Sequence, residues 1–365
     1  MRTGILSPWV LAPLALAACS TFVPGTTPPE DASAELPDTD LGFYDAAVPE
    51  PIRPCITEDG GVLTPGTFPD PTCDDSTGQC PAAGGCAIDT AQCGSPETCL
   101  PLTTYASAPE TLRIRDLHVV APPTLAGVLI ADEILDSAID LDAAQCGETG
   151  NGTFNWLLTV DEQTASLTTG AAPVPSDAFG VGYCFYEKPA IDGFSVTPEK
   201  TALTVSGSTF TSAPIPSLNL PIFGGTGGAA AYLFPLSNVV FQDVALSAGG
   251  DCIGSFNPDA LDVSCNYNPG ACSKWNTGGV VGGFIKLSDA DQSLIPEIGE
   301  SLCVFLTGSA ADSTGHCYPE SLSLGDYCST TLTAGGCQDS LWFAATFAAS
   351  AVKVDASGTN ASCAP

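Results

Sequence analysis

The chain has 365 residues, with 9 Lys and Arg against 41 Asp and Glu and a formal charge of −32. The cations are scattered singly, so there is no basic stripe to neutralise phosphates, and nucleic acid is excluded as a partner. The same charge repels anionic lipid headgroups unless divalent cations bridge the two.

At the start of the chain Arg2 precedes an apolar run, Gly4 to Ala17, that is too short to span a bilayer as a helix. Leu16-Ala17-Ala18-Cys19 closes that run. This resembles the lipobox of bacterial lipoproteins. The resemblance implies that a leader, residues 1–18, is removed and that Cys19 is acylated, so that the protein holds to a membrane through its N-terminal lipid. Ser20 follows the cysteine, where an Asp would favour inner-membrane retention in some Gram-negative lipoproteins. An outer-membrane, cell-envelope location is therefore implied, on the periplasmic face or at the cell surface.

Residues 19–54 are rich in Pro, Thr, Asp and Ala and show no sustained apolar period, which reads as a disordered tether. As a random coil such a segment spans ~33 Å. Residues 55–99 then hold Cys55, Cys73, Cys80, Cys86, Cys93 and Cys99, the last five in a tandem pattern with intervals of six, five, six and five residues. Apolar residues there are too few for a core, so a small disulfide-stapled module is expected, with the pairing of its cysteines left open.

From Leu100 to the end, short β-branched and aromatic runs alternate with Gly, Pro and Ser. Thr153–Asp161 is the clearest strand: Phe154, Trp156, Leu158 and Val160 fall on one face, with Asn155, Thr159 and Asp161 on the other. Further strands are expected at Leu112–Val120, Phe179–Tyr186, Ala202–Val205, Leu218–Phe223, Ala230–Phe234, Val239–Leu246, Gly279–Leu287 and Leu341–Val354. Pro214, Pro216 and Pro221 make Leu218–Phe223 an edge strand. Two helices are expected. One covers Thr124–Leu141. The other opens at a capping box, Ser288-Asp289-Ala290-Asp291, continues through Leu294, Ile295, Ile298, Leu302, Phe305 and Leu306 with Pro296 as a kink, and stops at Gly308. The fold class is mainly β, an antiparallel sandwich or open barrel with one or two packed helices.

The 17 cysteines leave an even 16 after Cys19, which in an exported chain reads as a disulfide framework. The β domain contributes Cys146, Cys184, Cys252, Cys265, Cys272, Cys303, Cys317, Cys328, Cys337 and Cys363 to it. Zinc is disfavoured, because there are no short Cys-x₂-Cys pairs and only two histidines, His118 and His316. Calcium is the one cofactor that the acidity leaves open, although Asp38/Asp40 and Asp70/Asp74/Asp75 lack the spacing of a calcium loop. No nucleophile elbow, zinc-protease helix or phosphate loop occurs, and no residue is assigned a catalytic, cofactor-binding or metal-ligating role. His118 reads as a strand histidine at the sheet surface or paired with a carboxylate, and His316 as solvent-exposed. The expected function is non-enzymatic, a binding or structural role towards an envelope protein or glycan. Two alternatives are a carrier that encloses an apolar ligand beneath the Leu294–Leu306 helix, and a lipid-anchored hydrolase whose His, Ser and Asp meet only in space.

Overall fold

The computed structural model describes residues 63–73, 86, 109–126, 137–139, 142–143, 148–149, 152–175, 178, 181–224, 230–247, 249–257, 260, 273–296 and 298–355, all within the unit formed by Pro49–Pro365. The leader, Cys19 and the tether lie outside the described residues. So do Cys55, Cys80, Cys93, Cys99, Cys146, Cys265, Cys272 and Cys363.

Ten strands carry the fold: β1 (Glu110–Ala121), β2 (Asn155–Asp161), β3 (Ser166–Ala172), β4 (Glu199–Ser206), β5 (Thr209–Ser212), β6 (Ile215–Phe223), β7 (Ala230–Gln242), β8 (Val244–Ala245), β9 (Gly279–Lys286) and β10 (Ser340–Ala351). They lie in the order β6-β7-β9-β10-β1-β2-β3-β4-β5-β8, every neighbouring pair antiparallel. As its prolines require, β6 stands at one end of this path.

The sheet curls into a half-barrel, and one bent segment serves both of its halves, lying beside the edge strand β6 as β7 and forming the opposite end of the path as β8. At Asp243 (φ 51°) the chain leaves the register in which β7 pairs with β9 and continues as β8, which pairs with β5. Two hydroxyls from β5 hold the bend: Phe241 N donates to Ser212 Oγ (2.9 Å) and Asp243 N to Thr211 Oγ1 (3.3 Å). Aromatic side chains fill the concave side. Ring centroids run from Phe154 to Trp156 (6.4 Å), on to Phe241 (5.7 Å) and then to Phe347 (5.8 Å), mostly edge to face. Trp156 Nε1 donates to Thr169 Oγ1 (2.8 Å), so this ring is buried with its polar atom satisfied.

The convex side is covered too, which removes the half-exposed alternation expected of the central strands. All 12 residues of β10 are buried. Residues 63–73 lie over β10, β9 and the end of β1, where Leu63, Phe68 and Cys73 pack with Val120, Phe284, Tyr327 and Trp342. Trp342 Nε1 donates to Thr67 O (2.9 Å) and Thr277 Oγ1 to Pro71 O (2.9 Å). Gly282 makes room for this layer, since a Cβ there would run into the Phe68 ring. Elsewhere on the convex side Leu157 is buried with Ala172, Tyr183 and Val352.

Four expectations change. The helix through Leu294–Leu306 is instead a helical turn α1 (Leu287–Ala290), a hairpin pairing Leu294–Ile295 with Glu300–Ser301, and a second helix α2 (Leu302–Thr307). Pro296 and Gly299 (φ +69°) turn the chain, and the N-cap is Ser301, which accepts from Val304 N; Ser288 caps nothing. Gly308 does end α2, in the left-handed conformation. Phe179–Tyr186 forms no strand among its described residues, only a parallel bridge from Tyr183 to Val354. Of Thr124–Leu141 the described residues are helical only at Ser137–Ile139, and 127–136 lie outside them. Ala230–Phe234 and Val239–Leu246 merge into the bent β7–β8 segment, because Pro235 in β7 is accommodated opposite Asn219 of the edge strand.

All eight described cysteines are in disulfides. Cys303 pairs with Cys317, Cys328 with Cys337 and Cys86 with Cys252, while Cys73 and Cys184 are likewise bonded. Cys86, expected among the staples of the 55–99 module, reaches across 166 residues to a short strand, Cys252–Ile253, that pairs with β10.

Candidate functional site

Two groups of polar residues stand out against this apolar background. The first lies on β1, where Leu112, Ile114, Leu117 and Val119 turn into the core. A bulge between Ile114 and Asp116 shifts the alternation and places Arg113, Arg115, Asp116 and His118 in one stretch, with Arg113 opposite Ser350 and His118 opposite Thr346 on β10. Arg113 is 0% exposed. Its Nε donates to Asn155 Oδ1 (2.6 Å), its Nη1 to Ile114 O (3.4 Å) and its Nη2 to Ile139 O, while the guanidinium lies over the Tyr183 ring at 5.8 Å. Asn155 is held in turn by donating from Nδ2 to Gly152 O (2.6 Å). Arg115, also buried, lies over the Trp275 ring at 5.8 Å. The planar guanidinium presents several donors and a face to its surroundings at once, so this layer works as a clamp, tying β1 to β2, to the 137–139 turn and to the segments that carry Tyr183 and Trp275. The sequence signal was present in Leu-Arg-Ile-Arg-Asp-Leu-His-Val-Val, an apolar strand with cations at alternate positions, and charge counting alone passes over it.

The second group brings together Asp291, Ser301 and His316, one from each of three segments. Ser301 Oγ donates to Asp291 Oδ1 (2.7 Å), and Cys317 N donates to the same oxygen (2.7 Å). His316 Nδ1 lies 2.7 Å from Asp291 O and 3.5 Å from Asp291 Oδ1. A carbonyl can only accept, so Nδ1 carries the proton. In a nucleophilic triad the imidazole stands between hydroxyl and carboxylate. Here the carboxylate stands between the other two, and Ser301 is fully buried while it caps α2. The group closes the loop spanned by the Cys303–Cys317 disulfide. His316 is half-buried, its side chain 34% exposed, rather than free in solvent.

Carboxylates elsewhere do similar work. Asp312 Oδ1 accepts from Thr314 Oγ1 (2.7 Å), Thr314 N (2.7 Å) and His316 N (3.1 Å), and the Thr314 side chain leads in holding its pKa below the usual carboxylate range. Asp339 accepts from Ser329 N (2.8 Å), Ser329 Oγ (2.6 Å) and Ser340 Oγ (3.0 Å). Asp161 accepts from Thr164 and Gln163 in the same way. Among the described residues two groupings have metal-ligand proximity, Asp291 with Cys303 and Cys317, and Cys328 and Cys337 with Asp339. In both, the sulfurs are bonded to each other and offer no thiolate. No protein family, curated protein or solved structure matches the chain.

Proposed function

We propose that the protein is a lipid-anchored component of the cell envelope, held in the outer membrane through an acylated Cys19, and that its disulfide-stapled β domain has a non-enzymatic binding or structural role towards an envelope protein or glycan. One observation carries the non-enzymatic part: the side chains able to do acid–base or nucleophilic chemistry at the Asp291–Ser301–His316 group are occupied in holding loops. The aromatic chain from Phe154 to Phe347 fills the concave side with side chains, which favours binding at the surface over enclosure of an apolar ligand. The Leu294–Ser301 hairpin, standing where the carrier alternative needs a helical lid, supports the same preference. The Leu16-Ala17-Ala18-Cys19 sequence supports the anchor.

Cell fractionation tests the anchor. Cys19→Ser is expected to move the protein from the membrane pellet to the soluble fraction, because the acyl chains supply the attachment. Continued sedimentation of that variant with membranes would overturn it. Chemical cross-linking on intact envelopes tests the binding role, which predicts a defined protein or glycan adduct.

A further inference from the structure

The 66 residues from Leu287 to Val352 contain eight Asp and Glu and no Lys or Arg. His316 is their one basic side chain. Within this stretch, exposed large apolar residues accumulate: Leu294, Ile298, Tyr318 and Leu324 are each between 41% and 57% exposed. Their segments are joined. Ser301 N donates to Gly315 O (2.7 Å), which ties the Leu294–Ser301 hairpin to the 312–317 loop. A Cβ on Gly315 would strike Gly299 O, so the hairpin tip and that loop touch backbone to backbone. Cys303–Cys317 fixes the start of the next segment, Tyr318, which opens a 3₁₀ turn (Pro319–Ser323) packed on α1 and α2 and followed by Leu324. Asp289, Glu300, Asp312 and Glu320 lie on the same segments.

We infer that this surface docks a cationic polypeptide segment bearing apolar side chains. Leu294, Ile298 and Tyr318 receive its apolar residues, and Asp289, Asp312 and Glu320 meet its Lys or Arg. The charge selects the occupant. A second copy of this chain would set eight acids against eight, and an anionic lipid surface is repelled in the same way. A neutral apolar partner would take carboxylates out of water with nothing to pair them. Only a cationic partner gains from both the exposed apolar side chains and the acids on these segments. The inference rests on the binding role proposed above and narrows it to a partner chemistry.

The test is isothermal titration of the purified full chain, disulfides intact, with a synthetic amphipathic peptide of Leu and Lys, about 14 residues long. Binding is expected to weaken about tenfold in Leu294→Ser/Ile298→Ser, in Glu320→Lys, and for a Gly/Lys peptide of equal charge. It should also fall in NaCl on the order of 0.5 M, where screening shortens the reach of the acids. Near-UV circular dichroism checks that the double variant is folded, and Glu320→Lys, at an exposed position, decides the matter if it is not. The inference is overturned if the variants bind the peptide as the parent does, or if a Leu/Glu peptide binds equally well. It also fails if the double variant instead abolishes self-association in sedimentation or attachment to anionic vesicles. Should the peptide fail while cross-linking in envelopes still gives a defined adduct, the wider binding role stands and this surface is not its site.

Discussion

Arg113 is fully buried in a chain with only 9 cations, and such a charge persists in an interior only when hydrogen-bonded. The fork of Arg113 reaches β2 and the 137–139 turn at once, a geometry that the single ammonium of a lysine does not reproduce. Two carboxylates near the end of the chain show how burial and hydrogen bonding pull in opposite directions. Burial pushes the Asp326 carboxyl up, outweighing the hydrogen bond that it accepts from Trp342 N (2.8 Å). Burial also acts to raise Asp339, but hydrogen bonds from Ser329 and Ser340 prevail and hold it below its ordinary value. The folded state therefore binds the Asp326 proton more tightly than the unfolded chain does. That contribution to stability is fully present below the unfolded value, ~3.9, and is lost as the pH rises through the raised folded value. Asp339 has the opposite sign: its contribution is present above ~3.9 and is lost as the pH falls through the depressed value. Asp326→Asn should accordingly raise the urea midpoint at neutral pH, because an amide oxygen still accepts from Trp342 N without ionising. Asp339→Asn should lower stability at neutral pH by about 1 kcal/mol, a difference that shrinks in acid. Urea unfolding in acid and at neutral pH checks both, and shifts of the same sign in the two variants would refute the assignment.

At the level of elements, convex-side packing is most exposed at Gly282 of β9, which sits under the ring of Phe68. Gly282→Ala should lift residues 63–73 from the sheet at a cost of about 1–3 kcal/mol, because Phe68 is wedged edge-on against Trp342 (5.6 Å) and has little room to give. Hydrogen exchange should then quicken in 63–73 while β2 keeps its protection, and a uniform change across the sheet would count against this layer. The strands were the legible part of the sequence. β1, β2, β9 and β10 carry long apolar or alternating runs, and β6 carries the prolines that place it at an edge. The Leu294–Leu306 region was not legible, because its apolar spacing fits a helical period while Pro296 and Gly299 turn the chain between the two short strands of a hairpin. Nor does β2 alone disclose that its second face is covered: Asn155 reads as outward-facing until Arg113, from a segment about 40 residues away, is packed over it, and Leu157 is buried beside Tyr183. The Asp291–Ser301–His316 group was hidden for the same reason, since its members meet only after the hairpin, α2 and the Cys303–Cys317 disulfide have formed.

Across the whole molecule, sulfur bonds join regions that the chain order keeps apart. Cys328–Cys337 closes a local loop, with the two cysteines 9 residues apart, whereas Cys86–Cys252 spans 166 and fastens Cys86 to the strand pair Cys252–Ile253 and β10. A cross-link acts mainly by removing freedom from the unfolded chain, so the longer loop contributes more. The chain-entropy relation gives about 5 kcal/mol for the long bond and about 2.7 kcal/mol for the short one. Cys86→Ala/Cys252→Ala should therefore lower the free energy of unfolding roughly twice as much as Cys328→Ala/Cys337→Ala, with a steeper urea dependence because the unfolded chain expands further. The two deletions should also differ in what they release. Loss of Cys328–Cys337 leaves Ser329 held to Asp339 through both its N and its Oγ, so that loop should keep its fold. Loss of Cys86–Cys252 removes a covalent tie between the segment containing Cys86 and the sheet, and limited proteolysis should cut that segment first. Equal destabilisation by the two deletions, with no preferential cleavage near Cys86, would mean that packing and not sulfur holds Cys86 against the sheet.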